Sequence, residues 1–155
     1  MLSDKKNLLI KTERFCAYQE RCSYEIKQKM SKLGADKITT EKIISSLKEN
    51  DFLNDERFAK LFVSGKFRIK KWGKNKIRNE LRKKKISDEL INKGLNEINE
   101  REYIITLKEL AKKKAREIQS SKFKVQKIVM YLISKGFESE LIWKNITLQR
   151  QKTEC

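Results

Sequence analysis

The chain has 155 residues, enough for one ordinary core or for three small units that share their interfaces. It carries 38 Lys and Arg against 21 Asp and Glu, a net charge of +17, and has no proline and no histidine. Without histidine the commonest general base and metal ligand are both missing, and the excess charge points to a polyanion or an acidic protein surface as partner.

Strong helix formers dominate and apolar residues fall at helical rather than alternating spacing, so an all-α fold is expected. The first three predicted helices cover residues 4–20, 23–33 and 40–50, with Ser23 and Thr40 as N-caps; the second carries Ile26 and Met30, the third Ile43 and Leu47. A fourth opens at Asn54, Asp55 and Glu56, a polar cap followed by carboxylates in the first turn. Its apolar stripe is Phe58, Leu61, Phe62, Gly65, Ile69 and Trp72, and Gly73 supplies the break. The fifth, residues 74–85, carries Ile77 and Leu81; the sixth, capped by Ser87 and running to 99, carries Ile91 and Leu95. A long helix over 101–118 shows Ile104, Leu107, Ala111, Ala115 and Ile118 on one side, and Ser120-Ser121 interrupts it. The eighth, residues 124–135, bears Ile128 and Leu132 and ends at Gly136; Ser139 caps the last, with Ile142 and Ile146. Residues 1–5 and 149–155 carry no pattern.

The apolar pairs recur at a fixed interval. Ile26/Met30, Ile77/Leu81 and Ile128/Leu132 are 51 residues apart, as are Ile91/Leu95 and Ile142/Ile146. Between Ile43/Leu47 and Ile91/Leu95 the interval is 48, because the first copy holds three extra residues near 35–39. One supersecondary unit used three times is expected to stack: nine helices in three tandem three-helix repeats, forming an elongated curved stack that suits a long partner. The repeats cover residues 1–52, 53–99 (the most basic) and 100–149, with a tail at 150–155.

Charge is segregated along the chain. Residues 66–85 hold eleven basic side chains and one acid, Glu80, whereas residues 36–56 are net acidic. Lys74, Arg78, Arg82 and Lys85 fall in one helical stripe beside Ile77 and Leu81. A second basic cluster runs from Lys108 to Lys127. Val63 and Phe67 stand off the stripe of the fourth helix; they either meet a neighbouring repeat or form an aromatic set in a basic surface. The candidate interface is therefore Lys66, Phe67, Lys70, Lys71, Lys74, Arg78, Arg82, Lys83, Lys112, Lys113 and Arg116.

No phosphate-loop, dinucleotide or nucleophile-elbow motif occurs, and Asp55-Glu56 at a helix start reads as capping, so no catalytic residue, metal or cofactor is expected. Cys16, Cys22 and Cys155 have no CxxC spacing; Cys16 and Cys22 read as packing residues of a reducing cytoplasm. With no apolar leader and no long apolar run, a soluble intracellular protein without membrane contact is expected.

Several runs carry a family resemblance. Phe52-Leu53-Asn54-Asp55-Glu56-Arg57-Phe58-Ala59 resembles the most characteristic run of the RecX family of recombination regulators. Trp72-Gly73-Lys74 through Ile77, Leu81 and Ile86-Ser87 is similar to that family's basic second-repeat helix, and Tyr131 to Phe137 to its third-repeat signature. Ser23 with Ile26 and Met30 matches the first-repeat helix, so the resemblance spans residues 15–147. The chain departs from the pattern in lacking a proline before Ser23, in Asn54 where an acid is usual, and in Lys85 where a glycine is common; the last leaves open how the fifth helix ends. The resemblance implies a non-enzymatic modulator of RecA that binds along the groove of the RecA filament on single-stranded DNA and suppresses its ATP-driven activities. It names no catalytic residues. A monomer is expected. The competing reading is a general basic DNA-binding helical module without a dedicated RecA contact.

Overall fold

All twelve members of the repeated apolar pairs are buried, from Ile26 and Met30 at 0% exposure to Ile146 at 9%. A computed structural model of the chain describes the backbone of residues 2–120 and 122–153 and the side chains of residues 4–120 and 122–146. Among these there are nine helices and no strand: α1 Leu2–Tyr18, α2 Ser23–Lys32, α3 Lys37–Glu49, α4 Asp55–Arg68, α5 Lys74–Lys83, α6 Asp88–Asn96, α7 Glu100–Glu117, α8 Lys124–Ser134 and α9 Ser139–Thr153. The three extra residues of the first copy become an added turn: six residues precede Ile43 in α3, while three precede Ile91 in α6 and Ile142 in α9.

The three middle helices stop in the same way. Gly34, Lys85 and Gly136, each 51 residues from the next, are left-handed with φ of 80°, 59° and 101°. Behind each, the following N–H reaches back to close the last turn: Ala35 to the Met30 carbonyl at 3.0 Å, Ile86 to Leu81 at 3.2 Å and Phe137 to Leu132 at 3.1 Å. Lys85 therefore keeps the turn that glycine would make, at the steric cost of a Cβ in that conformation.

The chain divides into two compact units. The first takes the residues to Leu61 together with Leu81–Lys93. Its helices α1, α2 and α3 pack mutually around Cys16, Ile26, Met30, Ile43, Ile44, Leu47 and Leu53. Burial pushes the thiols of Cys16 and Cys22 up to about 11, so both stay protonated at neutral pH and act as small packing groups. The second unit takes Phe62–Glu80 and the residues from Gly94 on. There α7, α8 and α9 pack mutually, and Phe67, Tyr103 and Phe137 form an aromatic run with ring centroids 5.8 Å and 5.1 Å apart.

Several local expectations need correction. Thr40 does not cap α3: Asp36 does, accepting from the Thr39 N–H at 2.7 Å, and the added turn carries Thr40 into the helix. Ser23 and Ser139 are first helical residues rather than caps. Ser87 does cap α6, accepting from Leu90 N–H at 3.3 Å. On α4 the inner face is Phe58, Ala59, Val63 and Phe67, whereas Leu61 and, just past the helix end, Ile69 are exposed; small Ala59 begins an i, i+4, i+8 stripe that larger apolar residues nearby obscure. On α7 the inner face is Tyr103, Thr106, Leu107 and Ala111, with Ile104 only half-buried and Ile118 beyond the helix end. The ends expected to lack pattern are helical as far as Leu2 and Thr153. Of the remaining expectations, those on Ser121 and Cys155 lie outside the described residues.

Candidate interaction surface

Within the first unit, the run from Phe52 to Ala59 is occupied with architecture. Leu53, Phe58 and Ala59 are buried. Asn54 caps α4 through the Arg57 N–H at 3.0 Å. Asp55 accepts the Ser23 N–H at 2.8 Å and its hydroxyl at 2.9 Å, satisfying an orphan donor at the start of α2. Arg57 spreads its guanidinium over Glu20 at 2.9 Å, Asp51 at 3.0 Å and the Asp51 carbonyl at 3.1 Å. Glu56 meets Lys93 at 3.3 Å.

The second unit builds the corresponding joint differently. The Lys74 N–H donates to the Tyr103 hydroxyl at 2.9 Å, which in turn donates to Glu138. Burial, and then that bond to Glu138, hold the phenol far above its ordinary range, so it stays neutral. The Lys74 ammonium lies 4.8 Å from the Tyr103 ring and 2.6 Å from Glu100. Beside it two backbones touch. The Gly73 N–H meets the Lys135 carbonyl at 2.7 Å and the Asn75 N–H meets the Gly136 carbonyl at 2.9 Å. A Cβ on Gly73 would lie 2.3 Å from Gly136 and Phe137 backbone atoms.

The sequence-derived interface is thus only partly a surface. Phe67, 6% exposed against Tyr103, is core, and the expectation of a reachable aromatic anchor there is corrected. Its alternative, contact with a neighbouring repeat, is what α4 and α7 make. Lys74 is spent on the joint. Lys70, Lys71, Lys112, Lys113 and Arg116 are exposed and Lys66 is half-buried. Arg78 bonds Asn75 at 3.1 Å. In the first unit, Arg82 pairs with Asp88 at 3.0 Å and Lys83 is exposed.

The interface expected from the sequence left out Lys76, Lys135 and Trp72. The Trp72 ring has Lys66 at 4.9 Å and Lys76 at 4.5 Å. Lys135 donates to the Lys70 carbonyl at 2.9 Å. Burial, and then the positive charges of Lys76, Lys113 and Lys70, hold its ammonium below the usual lysine range. The two basic clusters of the sequence therefore converge in this unit. The runs alone do not show this meeting, because it rests on the close approach of Gly136 to Gly73.

Among the described residues no group of acids and thiols could hold a metal, and no helix is long and apolar enough to cross a membrane. The molecule is an all-helical tandem-repeat protein whose dominant surface feature is positive charge. Residues 54–95 match the second three-helix domain of RecX and residues 102–146 its third. The regulatory protein RecX of Clostridium perfringens (strain SM101 / Type A) is 32% identical over 117 residues, covering 73% of this chain and 54% of that protein. That of Clostridium acetobutylicum is 34% identical over 119 residues, covering 73% and 55%. The crystal structure of RecX from Lactobacillus salivarius, 25% identical, superposes with a TM-score of 0.86 over 95% of this chain and 97% of that one. This chain belongs to the RecX family. It spans about half the length of the curated relatives it matches.

Proposed function

We propose that this chain regulates RecA: it engages the RecA filament on single-stranded DNA and lowers the filament's ATP-driven activity, without catalysing a reaction itself. What carries the reading is the match to two RecX domains in order, on a chain whose net charge of +17 suits a filament rich in phosphate. The contact is assigned to Lys66, Lys70, Lys71, Arg78, Lys112, Lys113 and Arg116 of the second unit. Arg82 and Lys83 supply further charge from the last turn of α5, while Phe67 and Lys74 serve the fold. The protein acts in the cytoplasm as a monomer.

The test is RecA ATPase on single-stranded DNA with this protein at substoichiometric amounts. Inhibition is expected, and Arg78→Glu with Arg82→Glu should weaken it at least tenfold, about 1.4 kcal/mol. Full inhibition by the folded double variant would place the contact elsewhere. A general DNA-binding module instead loses all effect at salt that abolishes direct DNA binding; a regulator with its own RecA contact keeps inhibiting there.

A further inference from the structure

Several lysines near helix junctions have a carboxylate beside them: Lys74 has Glu100 at 2.6 Å, Lys93 has Glu56 at 3.3 Å, Lys114 has Glu117 at 3.6 Å and Lys84 has Glu25 at 3.9 Å. In the turn between α8 and α9, Glu138 is taken by the Tyr103 hydroxyl and Lys135 is set differently. Lys135 is pinned there from two sides, its ammonium on the Lys70 carbonyl at 2.9 Å and its own carbonyl on the Gly73 N–H at 2.7 Å. Lys76 is held against the same turn, close enough that a Cβ on Gly136 would lie 2.4 Å from its own Cβ. Lys113, on α7, adds its positive charge to those of Lys76 and Lys70 in holding the Lys135 ammonium below the usual lysine range. The backbones of Lys70, Lys76 and Lys135 are thus held together at this turn, and the charge of Lys113 acts on the same place.

We infer that Lys70, Lys76, Lys113 and Lys135 form a phosphate subsite that grips the backbone of a nucleic-acid strand directly, independently of any protein partner. The inference deepens the proposed function and rests on its reading of the basic surface. Clustered like charges destabilise one another until an anion of comparable charge arrives. A strand with one negative charge per nucleotide supplies several at once; a single carboxylate side chain supplies one. Two neighbouring features favour the strand over an acidic protein surface. Trp72, half-buried with Lys66 and Lys76 over its ring, sets an aromatic side chain among the charges, a combination that single-strand sites use. Lys112 and Arg116 are exposed one turn apart on α7, continuing the positive track.

The experiment titrates the intact chain into a fluorescent oligothymidylate, with no RecA present, over a range of salt. Lys76→Gln with Lys113→Gln is the variant of choice, because neither side chain makes a hydrogen bond that holds the fold. Lys37→Gln with Lys48→Gln, exposed on the first unit, removes the same charge elsewhere. If each lost lysine frees one phosphate, the subsite variant should bind at least tenfold more weakly, and its log–log salt slope should be shallower by about 1.4. The control should stay within about twofold of wild type. Equal losses in both variants, with melting temperatures unchanged, would overturn the subsite in favour of diffuse attraction. Polyglutamate of matching charge competing as well as unlabelled oligonucleotide would overturn it in favour of an acidic protein surface. RecA inhibition by the same variants separates the two readings. Lost oligonucleotide binding with intact inhibition leaves the subsite standing apart from regulation, and unchanged oligonucleotide binding removes the subsite whatever RecA does.

Discussion

The first residues of α2 and α5 stand one repeat interval apart and meet the same demand with different chemistry. Each begins a helix with an N–H that has no partner inside the helix. Ser23 gives that donor, and its hydroxyl, to the carboxylate of Asp55. Lys74 gives it to the phenol of Tyr103, which relays to Glu138. At α2 the negative charge touches the helix start, where the dipole favours it. At α5 it stands one phenol away, and the ammonium of Lys74 shares the place, balanced by Glu100. The repeat thus fixes a position and a hydrogen-bonding demand, not a residue type. A lysine can begin the fifth helix because the next copy brings an acid to meet it.

The two joints also differ in what they leave room for, and this gives the largest expected effect. Gly73 is the residue before α5, and its added Cβ would fall 2.3 Å from backbone atoms that no side-chain rotation can move. Gly73→Ala should cost about 3 kcal/mol or more and lower the melting temperature by roughly 10 °C. The position one interval earlier is Cys22, buried with a Cβ already in place. Cys22→Ala should cost only about 1 kcal/mol. Equal losses in a thermal melt would show that the Gly73 contact yields.

Tyr103→Phe comes next. It leaves the Lys74 N–H and Glu138 without their shared partner and should cost about 1–3 kcal/mol in a denaturant titration at pH 7. The pH dependence sharpens the assignment. A phenol in the unfolded chain ionises near about pH 10, while Tyr103 in the folded chain keeps its proton well above that. Over the interval the folded state binds the extra proton, so stability falls as pH rises. The phenylalanine variant lacks this loss, and the gap between the two proteins should narrow above about pH 10. A gap that stays constant to higher pH would mean that Tyr103 is not the buried hydroxyl described.

Asp55→Ala tests the carboxylate joint. It removes two hydrogen bonds from Ser23 but leaves donors that water can reach, since Ser23 is only half-buried. A loss of about 1–2 kcal/mol is expected, below that of Tyr103→Phe. A larger loss than in the phenol joint would reverse the ranking of the two.

The apolar pairs, their interval and the nine helices were legible because burial at fixed spacing is written one residue at a time. The faces of α4 and α7 were not. Ala59 and Thr106 lie inward, while Leu61 and Ile69, which dominate any reading by hydrophobicity, lie outward. The basic clusters were visible as runs, but their meeting at Lys135 was hidden, since it depends on Gly73 and Gly136 touching across 63 residues of chain. Phe67 misled for a related reason: its sequence neighbours Lys66 and Arg68 are basic, while its spatial neighbour is Tyr103. Charge in the sequence reports on the surface of a helix and is silent about what the opposite side buries.

The smallest expected effect is a gain, and it separates the three turns that end α2, α5 and α8. Gly34 and Gly136 reach their left-handed conformation without a Cβ to clash, whereas Lys85 reaches φ 59° with one. A non-glycine residue in that region is disfavoured by about 1–2 kcal/mol, partly offset because glycine is freer in the unfolded chain. Lys85→Gly should therefore stabilise the protein by about 1 kcal/mol, near 3 °C in melting temperature. The exposed Lys85 side chain makes no described ion pair, so little opposes the gain. Gly34→Lys, its mirror in the first repeat, finds open space around the new Cβ and should lose about the same amount from backbone strain alone. A neutral Lys85→Gly beside a destabilising Gly34→Lys would mean that the lysine is held in its turn by the side chain and not by the closing hydrogen bond from Ile86.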